Sequence, residues 1–299
     1  MQLEMAAAYV SYRPLLMTIA YRMLGSVTDA EDLVQDVFVH AYKWEMDKES
    51  SHVLNLKSYL CKMVTNRCLD LLKSARRKRE VYVGPWLPEP IVQHDFSNSD
   101  QDPLQTIMFE DTISYAFLIM LDRLTPVERA VFILREAFDY DYRDIADTIS
   151  KTELGCRQIY SRLKRKIQVE PTDPIITEDQ TRELVYQFLQ AASTGNMEML
   201  LSTLTDDITA YTDGGGKVSA AIRPIQTPSR VAAFILGLAS KMDEQTKIIL
   251  VRINGAIGVI LSSPSEPFAS VMSFQFKDDR IENIYIMWNP DKLRHLKLG

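Results

Sequence analysis

Between Asp141 and Lys166 the chain reads DYRDIADTISKTELGCRQIYSRLKRK, and its chemistry is concentrated in Arg157, Gln158, Ser161, Arg162, Lys164 and Arg165. At helical spacing these six face one way, while Cys156, Ile159 or Tyr160, Leu163 and Ile167 face the other. Arg and Gln can each form two hydrogen bonds to a base edge in the major groove, and neighbouring cations hold phosphates. A helix of this kind must be aimed by another. The preceding stretch supplies it, with Tyr142, Ile145, Ala146 and Ile149 on one face. Thr152 is placed to accept from the first amides of the second helix. The pair is predicted to be a helix-turn-helix, the competing reading being a solvated basic helix in a bundle.

A second set of groups lies between Lys57 and Arg79: Lys57, Tyr59, Lys62, Asn66, Arg67, Lys73, Arg76, Arg77 and Lys78. Opening DNA requires neutralised phosphates and surfaces that receive unstacked bases, and this set carries both kinds of group. Carboxylates concentrate between Asp29 and Asp36, where Glu31, Asp32, Gln35 and Asp36 fall opposite the apolar stripe Leu33, Val34, Val37, Phe38 and Ala41.

The net charge of −6 hides this segregation. Residues 1–170 hold 22 Lys and Arg against 25 Asp and Glu, and the remainder 12 against 15. Five cations and no acid lie between Lys73 and Arg79, and five more between Arg157 and Lys166. Basic patches on an acidic body suit a protein that touches both DNA and a basic protein surface. No apolar run is long enough to cross a bilayer, because Ile248–Leu261 is broken by Arg252 and Asn254. No secretion signal opens the chain, so a cytoplasmic protein without membrane contact is expected. Cys61, Cys68 and Cys156 form no CxxC pair and read as core residues, and neither metal nor cofactor is expected.

Along the chain, Thr28-Asp29-Ala30-Glu31 reads as a capping box opening a helix to about Trp44, and Lys57–Arg79 as one long helix. Val83–Pro103, with Gly84 and four prolines, reads as a linker. Helix resumes over Leu104–Leu124, and Thr125-Pro126-Val127-Glu128 combines an N-cap, a first-turn proline and a reciprocal Glu. Pro171 and Pro174 mark a further boundary. Beyond it come helices near Glu178–Ser193, Asn196–Leu204 and Ser229–Met242, and β-rich segments near Ile208–Thr212, Ile248–Ser262, Phe268–Phe276 and Arg280–Trp288. The order predicts a curved meander wrapped around its helices, a cone able to hold a cavity.

The order of parts resembles bacterial extracytoplasmic-function sigma factors over residues 1 to about 168. The resemblance rests on YRPLLMTIAYRMLGSVTDAEDLVQDVF, SYLCKMVTNRCLDLLKSARRKR, LTPVERAVFILREAFDYDYRDIA and the basic helix above. WLPEP (Trp86–Pro90), DGGGK (Asp213–Lys217) and NPDKL (Asn289–Leu293) resemble the subgroup with a C-terminal SnoaL-like extension. The implied fold is multidomain: two all-α sigma domains, the second with the helix-turn-helix, then an α+β SnoaL-like cone. The expected boundaries are a region-two domain over 1–82, a linker over 83–103, a region-four domain over 104–170 and the cone over 171–299.

The same resemblance implies that Glu31, Asp32 and Asp36 meet a basic coiled coil of core RNA polymerase. The loop Glu45–Leu54 would select a flipped base of the minus-ten element, and the groups on the melted strand would be Trp44, His52, Lys57, Tyr59, Lys62, Asn66, Arg67, Lys73, Arg76, Arg77 and Lys78. Arg157, Gln158, Ser161, Arg162, Lys164 and Arg165 would read the minus-thirty-five duplex. One departure is Gly155, where the family has a larger polar residue; glycine there costs about 1 kcal/mol of helix propensity.

SnoaL-like cones also include enzymes that use a cavity Asp or His. Here Asp206, Asp207, Asp213, Tyr211 and the near-terminal His295 are the candidates, and no pair has distinctive acid–base spacing. The expectation is therefore a non-enzymatic initiation factor with a fused regulatory domain, which leaves room for a small-molecule ligand of unknown identity. Trp86, Pro88, Asp213, Gly214, Gly215, Gly216, Lys217, Asn289, Pro290, Asp291, Lys292 and Leu293 would make its intramolecular contacts. The rival readings are a one-component ligand-sensing DNA-binding regulator and a SnoaL-type enzyme with a DNA-binding appendage.

Overall fold

The computed structural model describes residues 2–46, 55–79, 82–93, 114–167, 177–264 and 269–296. These fall into two compact units. One comprises residues up to 79 with 117–167; the other comprises 82–93, 114–116 and everything from 177 onward.

The first unit begins with α1 (Gln2–Leu24), α2 (Val27–Met46) and α3 (Leu56–Arg79). Leu16, Ile19, Met23, Val34, Val37, Leu60, Val64 and Cys68 are buried in it. The expected capping box at Thr28 is displaced by two residues. Ser26 Oγ accepts from Asp29 N at 3.0 Å, so the helix opens earlier with Ser26 as its cap and Asp29 at the third position. Asn55 starts α3 in the same way, accepting from Ser58 N.

The helices α4 (Tyr115–Asp122), α5 (Pro126–Glu136), α6 (Tyr142–Ile149) and α7 (Glu153–Ile167) follow. Of the helix expected over Leu104–Leu124, residues 104–113 lie outside the described residues. The Thr125 capping box is present in full, with Thr125 N donating to Glu128 Oε2 at 2.9 Å and Glu128 N to Thr125 Oγ1. Arg129, only 3% exposed, fastens α5 to α1: it donates to Leu121 O, Asp122 Oδ1 and Met23 O. Burial raises the pKa of the Cys61 thiol on α3, against a lowering hydrogen bond from Tyr140 of the α5–α6 turn.

The second unit holds α8 (Glu178–Thr194), α9 (Met197–Ser202) and α10 (Pro228–Ala239) against a seven-stranded sheet. Its strands are β1 (Val92–Gln93), β2 (Leu204–Asp213), β3 (Ile225–Gln226), β4 (Lys247–Ile253), β5 (Ala256–Ser262), β6 (Ser270–Lys277) and β7 (Arg280–Met287). A last short helix, α11, spans Pro290–Leu293. The segment Ile248–Ser262, read as one β-rich stretch, is a hairpin turning on Asn254 and Gly255, both at positive φ. The expected meander holds for β4 to β7, but β2 returns parallel to β7, giving the order β1-β4-β5-β6-β7-β2-β3. Alternation along the strands sends Ile208, Ala210, Val259, Met272, Phe274, Ile284 and Ile286 into one cluster with Val185, Phe188, Val231 and Ile235 of the helices.

Candidate functional site

On α2, Leu33, Val34, Val37, Phe38 and Ala41 are buried, which leaves Glu31, Asp32 and Asp36 exposed on the opposite side. Arg13 of α1 stands 3.8 Å from Glu31. On α3, Lys57, Lys62, Arg67 and Lys73 are exposed and Tyr59 and Asn66 half-buried, above a buried stripe of Leu60, Cys61, Val64, Thr65, Cys68 and Leu72. Asp70 neutralises Lys73 at 2.9 Å. His52, with most of the expected loop Glu45–Leu54, and the side chains of Trp44, Arg76, Arg77 and Lys78 lie outside the described residues.

Every polar residue expected on α7 is exposed: Arg157, Gln158, Ser161, Arg162, Lys164 and Arg165. Cys156 and Leu163 are fully buried beneath them, and Ile159, Tyr160 and Ile167 partly so. The turn before the helix is made by Ser150 in the left-handed region and by Thr152, whose Oγ1 accepts from Gly155 N at 3.1 Å. This explains Gly155. A Cβ there would lie 2.9 Å from Thr152 Oγ1, so the glycine gives the cap its room. Lys164 Nζ lies 3.9 Å from Glu136 on α5. Two residues that sequence reasoning left out of the site also act on this face. Glu153 accepts from Arg157 at 2.7 Å, and the ring of Tyr142 lies 4.8 Å beneath the Arg157 guanidinium.

In the second unit, WLPEP, DGGGK and NPDKL meet around one carboxylate. Asp213 ends β2 with 0% exposure and accepts from four donors: Tyr82 Oη at 2.5 Å, Gly215 N at 3.0 Å, Leu87 N at 2.8 Å and Lys292 Nζ at 2.7 Å. Lys292, 8% exposed, also donates to Leu87 O at 2.6 Å and lies 4.1 Å from the Trp86 ring centroid. Four hydrogen bonds, one of them from a cation, are what make a buried carboxylate tolerable. Burial and the bond to Asp213 together push the Tyr82 hydroxyl well above the ordinary tyrosine range. The glycines make the turn possible: a Cβ on Gly214 would meet Val218 O at 2.2 Å, and one on Gly215 would meet Asn289 Nδ2 at 2.2 Å. Lys217 closes the loop by pairing with Asp291.

The stretch read as a linker is therefore seated on the sheet from Tyr82 to Gln93. Prolines 85, 88 and 90 keep it extended and lack N–H donors, so what holds it is largely a set of partners for its carbonyls. Tyr115 Oη donates to Pro88 O at 2.6 Å, and His295 Nε2 lies 2.8 Å from Pro90 O. Ile91 exchanges two hydrogen bonds with Asn254, after which Val92 and Gln93 pair with β4. Sequence reasoning missed Tyr82, Tyr115 and His295 as members of this clasp. The aromatic pair Tyr82 and Trp86 flanking Gly84-Pro85 was the available signal.

The residues considered for catalysis do not converge. Asp206 and Asp207 are exposed, Asp213 is consumed by the clasp, and Tyr211 stacks on Tyr285 at 5.4 Å. The helix-facing side of the sheet is filled by apolar groups, with Phe188 on Phe274 and Phe234 near Trp288.

Residues 8–78 match Sigma-70 region 2, and residues 116–167 match Sigma-70 region 4. The chain is 31% identical over 236 residues to the ECF RNA polymerase sigma factor SigJ of Mycobacterium tuberculosis, covering 78% of this chain and 72% of the relative. It is 30% identical over 297 residues to the probable ECF RNA polymerase sigma factor SigI of the same organism, covering 98% and 96%. The crystal structure of SigJ superposes with a TM-score of 0.76 at 26% identity, over 98% of this chain and 100% of that one. A region 2 helical set, a region 4 helix-turn-helix and an added α+β domain thus recur together, and the chain belongs to the extracytoplasmic-function family of RNA polymerase sigma factors.

Proposed function

We propose that this sigma factor binds core RNA polymerase through Glu31, Asp32 and Asp36, reads the minus-thirty-five duplex with α7, and holds the melted minus-ten strand along α3. The observation that carries the reading is the split of α7 into a buried Cys156–Leu163 stripe and an exposed face holding all six expected DNA-contacting residues. Buried groups fix the helix, and exposed groups are left to read. The initiation role has no reaction of its own, in keeping with an apolar-filled cone whose carboxylates lie elsewhere. A cytoplasmic place of action follows from its partners, and no described helix is long and apolar enough to cross a membrane.

The test is abortive RNA synthesis by core polymerase supplemented with the purified protein, on a promoter selected by the resulting holoenzyme. Short transcripts that depend on both promoter elements support the reading. Sequence-specific DNA binding without any synthesis would overturn it in favour of a ligand-sensing regulator.

The last domain regulates through the clasp. With Asp213, Lys292 and His295 gripping residues 82–93, it sets the path of the chain between the two sigma regions. Removing residues from Asn289 onward takes away Lys292 and His295 and should raise reporter transcription, whereas deletion from Thr177 strips the whole seat and should lower it. Activity equal to the full chain in both, at matched protein levels, would end the regulatory reading.

A further inference from the structure

Glu153 is the sole acid of α7, set on the face that otherwise offers cations to DNA. A carboxylate there repels phosphate and lowers affinity for every sequence. Its position at the helix start and its exposed pairing with Arg157 four residues on would stabilise the helix only slightly. Neither effect accounts for the placement of the Arg157 guanidinium over the Tyr142 ring.

Arg157 is held at two points. Its Nε and Nη2 both donate to Glu153 Oε1, at 3.2 and 2.7 Å. Its guanidinium lies over the Tyr142 ring at 4.8 Å, and that ring is itself fixed, with Arg135 at 5.0 Å and Tyr160 edge-on at 5.9 Å. Glu153 takes the side edge of the guanidinium. The end edge, formed by Nη1 and the outer hydrogen of Nη2, remains available for the O6 and N7 acceptors of guanine. An arginine already held in one plane loses less rotamer freedom on contact and meets a mismatched base without adapting to it.

We propose that Glu153 is a positioning residue that aims Arg157 at a single guanine, lowering affinity for DNA in general while raising discrimination at that base pair. The proposal rests on the assignment of α7 as the reader of the upstream duplex.

The experiment measures competitive binding of the holoenzyme to promoter duplexes carrying each base at every upstream position, for the parent, Glu153→Gln, Glu153→Ala, Arg157→Ala and Glu153→Ala/Arg157→Ala. Both Glu153 variants should bind all duplexes more tightly, yet lose about 10-fold of discrimination at one G·C pair. Arg157→Ala should lose discrimination at that same pair, and the double variant should lose no more than Arg157→Ala alone, because the two residues act as a unit. A purely structural Glu153 would leave every base preference in place; that result, with Arg157→Ala still effective, would overturn the positioning role alone. Loss at a different base pair would overturn it too, by showing that Glu153 reads a base itself. If Arg157→Ala changes no preference, the assignment of α7 fails and the proposal with it.

Discussion

The Arg129 guanidinium on α5 donates from Nη1 to the carbonyl of Met23, in the last turn of α1, at 2.7 Å. The final carbonyls of a helix have no partner within it and carry the negative end of its dipole, so a buried cation there answers both needs. Asp122 and Leu121 O take the rest of the guanidinium. This one side chain ties the region 4 helices to region 2.

Arg129→Ala is expected to loosen that tie. Removing one partner of a buried ionic group costs about 3 kcal/mol, and Arg129→Lys, with one charge but no fork, should recover only part. Energy transfer between dyes on α2 and α7 should fall in the alanine variant. Unchanged transfer and unchanged urea sensitivity of the helical unit would show that the apolar contacts suffice without it.

The Asp213–Lys292 pair makes a second, independent expectation. Lys292→Met leaves a carboxylate buried without its cation, and Asp213→Asn leaves the ammonium without its anion; each should lose about 3 kcal/mol of clasp stability. The double variant carries no buried charge and should be less damaged than the sum. The readout is hydrogen exchange at the Leu87 amide, which donates to Asp213. An exchange rate indifferent to Lys292→Met would mean that the segment's remaining partners, Asp213, Tyr115, His295 and Asn254, seat it without the cation.

Gly155→Ala separates propensity from context. Alanine in a helix interior is favoured over glycine by about 1 kcal/mol, but here its Cβ would crowd Thr152 Oγ1 and disturb a cap of about the same worth. The net change in thermal stability should be near zero in the parent and become stabilising in a Thr152→Ala background. A full gain in both would show that the cap contributes nothing.

What could be read from the sequence divides along the range of the interactions. The faces of α2, α3 and α7 follow from a period of 3.6, because Leu33, Val37, Cys156 and Leu163 must point inward wherever their helix lies. The Thr125 box was legible since all its atoms lie within four residues. At the start of α2 the Thr-x-x-Glu pattern points to Thr28, whereas the observed cap is Ser26, two residues earlier. The parallel return of β2 beside β7 joins positions more than seventy residues apart and the Leu87–Asp213 bond joins positions 126 apart, and composition carries no record of such pairs. Prolines in a polar stretch suggested a linker because a free extended chain and a docked one use the same residues.

Charge reversal on α2 tests the polymerase contact most directly. Glu31, Asp32 and Asp36 are exposed and contribute nothing to the buried stripe of their helix, so Glu31→Lys/Asp32→Lys/Asp36→Lys should fold. The Arg13–Glu31 approach, at 3.8 Å and partly exposed, is worth less than about 1 kcal/mol. Against a basic partner, three reversals turn attraction into repulsion. Association should slow by at least about 10-fold at low salt, and the difference should shrink as salt screens it. Surface-immobilised core polymerase gives both rates, and circular dichroism of the variant checks the fold. Binding of the triple variant as fast and as tight as that of the parent at low salt would place the polymerase contact elsewhere on the helical unit. Slower association with unchanged dissociation is the signature expected of charges that steer the encounter from the rim of an interface.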